Sequence, residues 1–142
     1  MKYTYTFILA CCFTVITSAQ SLTDEILTGN WKVTEVVTTT DEIPEEEIKF
    51  MQEMTEAFKT STFHFSPDNG FNLEISIGEL AANLKDLFWK INTSKDKILL
   101  QETANDTSED APFVISTTEI DGQYTFELSR MPFKMTVKKD AN

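Results

Sequence analysis

The sequence predicts a mostly β protein, namely a single up-and-down antiparallel β-barrel of about eight strands with two short helical insertions, at about 44–60 and 78–87. Apolar and polar residues alternate along eight short segments. Most connections between these segments are tight, and Asp121-Gly122 is a two-residue hairpin signal between two of them. Closure into a barrel removes exposed strand edges. A two-sheet sandwich is the alternative architecture.

The first 19 residues have the features of a cleavable secretory signal. Lys2 carries a positive charge, residues 7–16 form an apolar run too short to span a bilayer, and small residues end at Ala19. We therefore expect a signal peptide at 1–19, a single barrel domain at 20–142, and a secreted or periplasmic protein without a transmembrane span. Lipidation at Cys11, after Ile8-Leu9-Ala10, is the alternative.

Cysteine content and charge exclude several classes of site. Cys11 and Cys12 are the two cysteines, so residues 20–142 hold none and cannot form a disulfide or a Cys-liganded zinc site. Without Lys2 the remaining chain has 11 basic and 23 acidic side chains. This excess of negative charge argues against nucleic acid and anionic lipid as partners. It is compatible with a protein partner that contacts an acidic surface.

The helical insertions are identified by their apolar spacing and their first residues. Pro44 suits the first position of a helix, and Glu45-Glu46-Glu47 complement the positive end of the helix dipole. Leu80 and Leu84 indicate one apolar face in the second, shorter helix. A further helical turn is expected after Ser21.

The strands follow from period-two alternation. The first covers residues 31–39, and later strands begin near Phe63, Phe71, Phe88 and Lys97. Three more are expected at residues 113–120, 124–128 and 133–137.

Leu27-Thr28-Gly29-Asn30-Trp31-Lys32 contains a G-x-W motif at the start of the first strand. On this motif and the strand order, the chain resembles the lipocalin-like families of small exported bacterial proteins, within the calycin superfamily. The resemblance implies that Gly29 allows a close chain passage and that Trp31 fills the closed end of the barrel. It also implies an arginine packed over the indole, for which Arg130 is the candidate. Exposure of Arg130 in a turn is the alternative.

The side chains of Glu35 and His64 could each point into the barrel or out to solvent, and the sequence indicates which. Strict alternation from Trp31 would place Glu35 inside the barrel as a buried acid, whereas a β-bulge would turn it to solvent. The bulge is favoured because burying a lone carboxylate is costly. His64 is the only histidine, and it points outward because Phe63 and Phe65 occupy the inward positions.

No motif in the sequence places a base beside a nucleophile, and the acidic clusters near Glu45 and Asp106 lack calcium-loop spacing. We therefore expect a non-enzymatic protein without a metal or another cofactor.

The first helix presents a wide apolar surface formed by Ile48, Phe50, Met51, Met54 and Phe58. It predicts either a plug that belongs to the core or an adaptable lid over an apolar cavity. The candidate ligand-binding residues at the barrel mouth and on this helix are Phe50, Met51, Met54, Phe58, Phe63, Phe65 and Trp89.

Two functions remain open. The first is an exported lipocalin-like protein that binds a small apolar ligand in the barrel. The alternative is a filled-barrel protein-interaction or inhibitor module of the cell envelope. A barrel of about eight strands is wide enough either to be packed with side chains or to hold one ligand.

Overall fold

The computed structural model describes residues 21–141. The predicted signal peptide at 1–19, with Cys11, lies outside the described residues. The strands are β1 (Gly29–Thr38), β2 (Thr62–Phe65), β3 (Gly70–Glu74), β4 (Leu87–Ile91), β5 (Lys97–Gln101), β6 (Phe113–Ile120), β7 (Gln123–Leu128) and β8 (Phe133–Lys139). The helices are α1 (Asp24–Leu27), α2 (Ile48–Lys59) and α3 (Gly78–Asn83), and a 3-10 turn (Glu45–Glu47) leads into α2.

The eight strands form one closed antiparallel barrel in sequence order, which confirms the predicted fold class. Each strand pairs with the next, and β8 pairs with β1 to close the sheet. The closing register runs from Trp31 opposite Lys139 to Thr38 opposite Phe133. Closure satisfies both edges of the sheet, so the sandwich alternative does not apply.

A β-bulge interrupts β1 where it pairs with β8. The register shifts between Val33 and Glu35, and Glu35 is exposed while Val36 packs against the core. The bulge prediction is therefore confirmed. One extra residue in the strand restores the apolar face to the interior and leaves the carboxylate in water.

The barrel has two distinct ends. Gly29, opposite Phe65, begins β1 at the end that we call the closed end, where α1 also lies. Thr38, opposite Phe133, ends β1 at the other end, the mouth end. The mouth end carries the four connections 39–61, 75–86, 102–112 and 129–132, which include α2 and α3.

The first helical insertion matches its prediction, but the second is shorter than predicted. The 3-10 turn and α2 together occupy the segment predicted at about 44–60, whereas α3 ends at Asn83 instead of continuing to residue 87. Asp86 has φ +58°, a left-handed conformation that cannot continue a helix, and Leu87 already pairs with Phe71 in the sheet. Within residues 21–141, no helix has the length and hydropathy needed to cross a bilayer.

Candidate functional site

Aromatic rings fill the centre of the barrel. Phe126 from β7 is fully buried, and its ring centroid lies 5.6 Å from Trp31, 5.4 Å from Phe63 and 6.1 Å from Phe65. Phe65 also meets Trp89 edge-to-face at 6.0 Å. These separations are typical of favourable aromatic pairs. Side chains of the protein itself therefore pack against one another at the centre of the barrel.

The mouth end of this interior is covered by α2. Phe58 is 0% exposed, and its ring lies 5.5 Å from that of Phe133 on β8. Met51 and Met54 are buried on the same face of the helix. Leu80 and Leu84 from the α3 region are buried in the same core. In the described structure these helix residues are packed core side chains.

Six of the seven predicted ligand-binding residues lie in this core, and Phe50 does not. The six are Met51, Met54, Phe58, Phe63, Phe65 and Trp89. Phe50 is 59% exposed, so it lies on α2 at the mouth end but outside the buried core. Phe50 belongs to the first turn of α2, in which only Met51 is buried.

Trp31 is held at the closed end by contacts with α1 and with the last residue of β8. The indole Nε1 donates a hydrogen bond to the Leu27 carbonyl oxygen at 2.8 Å. The Lys139 ammonium lies 5.8 Å from the ring centroid and donates to the carbonyl oxygens of Ile26 at 2.7 Å and Glu25 at 3.3 Å. Lys139 thus makes a cation–π contact with Trp31 and also caps the terminal carbonyls of α1.

Arg130 does not cover Trp31, and this prediction is corrected. Arg130 is exposed, with φ +67°, in the turn between β7 and β8 at the mouth end. β8 runs from that turn along the whole barrel to the closed end, so the cation beside the indole comes from its final residue, Lys139. Sequence reasoning missed Lys139, although pairing β8 antiparallel to β1 would have brought it opposite Trp31.

Gly29 has the close-approach role that the G-x-W motif implies. Its φ is +132°, and an added Cβ would lie 2.8 Å from Lys139 Cε. The backbone conformation therefore favours glycine at this position, and a larger residue would also have to displace the end of the Lys139 side chain.

A cleft of about 670 Å³ opens beside this lysine at the closed end. It is lined by Ile26, Trp31, Thr34, Gly122, Gln123, Tyr124, Val137, Lys138 and Lys139. The Tyr124 ring lies 5.2 Å from Trp31, edge-on. Burial, and secondarily the negative charge of Glu119, raises the pKa of the Tyr124 hydroxyl above its usual range. At neutral pH this phenol is therefore a neutral hydrogen-bonding group.

A smaller groove, of about 220 Å³, lies at the mouth end along one flank of α2, and we call it the mouth groove. It is lined by Thr38, Ile43, Ile48, Met51, Gln52, Thr55 and Glu56. Ile43 was missed by sequence reasoning because it lies in the irregular segment between β1 and the 3-10 turn.

Negative charge is concentrated around the same end. The four mouth-end connections carry 13 of the 23 acidic residues of the chain but only four basic ones. The acidic residues are Asp41, Glu42, Glu45, Glu46, Glu47, Glu53, Glu56, Glu79, Asp86, Glu102, Asp106, Glu109 and Asp110. A charge distribution of this kind attracts basic partners.

The described part of the chain offers no candidate metal site. Residues 21–141 contain no group of three His, Cys, Asp or Glu side chains placed to hold a metal ion. His64 lies on the outer surface, where its Nδ1 is 2.8 Å from Asn30 Oδ1 and its Nε2 is 3.3 Å from Glu74 Oε2. This position agrees with the outward direction expected from the alternation of β2.

Comparisons of the chain with protein-family models, curated proteins and solved structures found no match. The closed eight-stranded antiparallel barrel is consistent with a lipocalin-like fold.

Proposed function

We propose that this protein is an exported, non-enzymatic, lipocalin-like member of the calycin superfamily that acts as a protein-interaction module of the cell envelope. The observation that carries the proposal is the filled interior. Phe126 and its aromatic neighbours occupy the centre of the barrel, and Phe58 of α2 occupies the mouth. Of the two functions considered from the sequence, this packing favours the filled barrel over the ligand carrier.

Packing energetics support this choice. A ligand inside the barrel would have to displace side chains such as Phe58 and Met54, which are buried and in contact with the rest of the core. Exposing a buried Phe or Met side chain costs roughly 1.5–3 kcal/mol. The ligand would have to recover that free energy before it bound at all.

The acidic mouth end is the surface that we assign to the partner. Export through the predicted signal peptide would bring this surface into contact with other envelope proteins. Long-range attraction would accelerate association with a basic partner and would weaken as salt is added, because the screening length is about 8 Å at physiological ionic strength.

Native mass spectrometry of residues 20–142 purified from cells that export the protein tests the filled barrel. We expect the mass of the bare chain and no uptake of a fluorescent fatty-acid probe. A reproducible additional mass that is lost on denaturation would overturn the proposal in favour of the ligand carrier.

Charge variants test the assigned surface. The mouth-end variant replaces Glu45, Glu46 and Glu47 with glutamine. The control neutralises the same number of charges at the closed end, at Asp24, Glu25 and Asp121. We expect binding of a short lysine–leucine peptide to weaken in the mouth-end variant only. Equal weakening in both variants would refute a localised contact surface.

A further inference from the structure

The mouth groove has the shape and surroundings of a site for one side chain of a partner. We propose that it binds a cationic segment of a protein partner, which inserts one apolar side chain between flanking lysines or arginines. This inference rests on the proposed function, and it names the chemistry of the partner and the place where it docks.

The floor and walls of the mouth groove are mainly apolar. Met51 is buried at its base, Ile43 is partly buried, and Ile48 is 41% exposed along one side. Thr38, Gln52, Thr55 and Glu56 complete the walls. The Thr55 hydroxyl donates to the Met51 carbonyl oxygen at 2.8 Å. That bond leaves the threonine methyl group available to an apolar ligand. A volume of about 220 Å³ suits a single large side chain and not an extended ligand.

Carboxylates adjoin two of the residues that line this groove, Ile43 and Ile48, in the sequence. Ile43 follows Asp41 and Glu42 directly, and residues 45–47, all glutamate, lie between Ile43 and Ile48. All five carboxylates are exposed, and within residues 21–141 none of them forms an ion pair.

The lysines of α2 already have partners on the helix. Lys59 lies 2.7 Å from Glu56, and Lys49 lies 3.9 Å from Glu53. They neutralise glutamates of α2 and leave the carboxylates of the 3-10 turn and of the preceding loop uncompensated. A partner that carries positive charge would therefore complement this surface.

The negative charge around the mouth groove also favours one kind of occupant over the others that an apolar groove could bind. A second copy of the chain docked through the same face would bring two acidic mouth ends together, which is unfavourable. A peptide segment with an apolar residue between basic ones satisfies both the apolar walls and the acidic border. Removing water from one aliphatic side chain contributes about tenfold in affinity.

The test measures the affinity of fluorescently labelled peptides for residues 20–142. The first peptide contains lysine and leucine, and in the second every leucine is replaced by serine, so both carry the same charge. We expect the lysine–leucine peptide to bind about tenfold more tightly at low salt. We expect both affinities to fall as salt is added.

Two variants on α2 locate the site. Ile48→Gln removes an apolar wall of the mouth groove, whereas Phe50→Gln makes a comparable change at an exposed position that does not line it. Both side chains are exposed, so we expect both variants to retain the fold. We expect Ile48→Gln to weaken the lysine–leucine peptide about tenfold and Phe50→Gln to leave its affinity unchanged.

The outcomes separate this inference from the proposed function. Equal affinity for the two peptides, or equal losses in the two variants, would overturn the mouth groove as the site while leaving the acidic mouth end as a contact surface. Absence of binding by both peptides would overturn the groove and the acidic contact surface together. An occupied barrel in native mass spectrometry would overturn the proposed function alone.

Discussion

Replacing Phe58 with alanine tests whether α2 is a packed part of the core or a movable cover. Phe58 is 0% exposed, and its ring contacts Phe133 at a centroid distance of 5.5 Å. If α2 is part of the core, the substitution removes most of a buried aromatic side chain and leaves a cavity at the mouth of the barrel.

The magnitude follows from the burial of this side chain. Loss of a fully buried Phe combines the transfer free energy of the ring with the cost of an unfilled cavity, which together amount to about 3–5 kcal/mol. The tilted ring contact with Phe133 accounts for roughly 0.5–1.5 kcal/mol of such a loss. A domain of this size is stable by about 5–15 kcal/mol, so the variant would lose a large fraction of its stability.

Urea unfolding of residues 20–142 measures the loss as a shift in midpoint at constant m-value. Phe58→Leu, expected to cost about 1.5 kcal/mol or less, keeps the test informative if the alanine variant is too unstable to purify. Phe50→Ala is the matched control on the same helix, and we expect it to change stability by about 0.5 kcal/mol at most because Phe50 is 59% exposed.

A second measurement on the same variant addresses the cavity directly. An apolar cavity of aromatic size remains dry and binds benzene, and a bound ligand raises the melting temperature. We expect benzene to stabilise Phe58→Ala and to leave the unsubstituted protein unchanged. A loss below about 1 kcal/mol in Phe58→Ala, or stabilisation of the unsubstituted protein by benzene, would refute the packed interior.

Three further predictions concern the closed end. Gly29→Ala should cost roughly 1–3 kcal/mol, because φ is +132° and the new Cβ would meet Lys139 Cε, and the cost should shrink in a Lys139→Ala background. Equal costs in the two backgrounds, measured by urea unfolding, would contradict the steric part of this argument. Lys139→Met should destabilise by about 1–2 kcal/mol through loss of the helix caps and the cation–π contact, whereas Arg130→Ala should stay within about 0.5 kcal/mol. A larger loss of stability from Arg130→Ala than from Lys139→Met would contradict the assignment of Lys139 as the cation beside Trp31. Tyr124 is the only tyrosine in residues 20–142, so ultraviolet titration of these residues should show a pKa above 10.0, lowered by Glu119→Gln. Because the raised pKa favours the neutral phenol in the folded state, its contribution to stability is complete below pH 10 and is lost as pH rises through the folded-state pKa. Titration of Tyr124 at or below pH 10 would contradict this environment.

Local patterns were sufficient to predict the strands, because the alternation of apolar and polar residues within each strand shows which of its faces is buried. The alternation at Phe63 and Phe65 placed His64 outside, and the departure from alternation after Val33 predicted the bulge that exposes Glu35. Local patterns also predicted that the segment at 44–60 is helical. They could not separate Phe50 from Met51 and Met54, because burial depends on how the whole helix packs on the barrel and not on apolar character alone.

The sequence by itself determined the number and order of the strands, the direction of their side chains and the excess of negative charge, because periodicity and composition are properties of neighbouring residues. Closure of the barrel decided the rest. It brought Lys139 to Trp31 across the whole length of the domain and left Arg130 at the opposite end. It also filled the interior with aromatic rings from β1, β2, β4 and β7, and it placed Ile43 beside Ile48 on an acidic border. These contacts join residues that are distant in sequence or separated by irregular segments. Local periodicity cannot predict such contacts, because only the packing of the whole chain determines which of these residues meet.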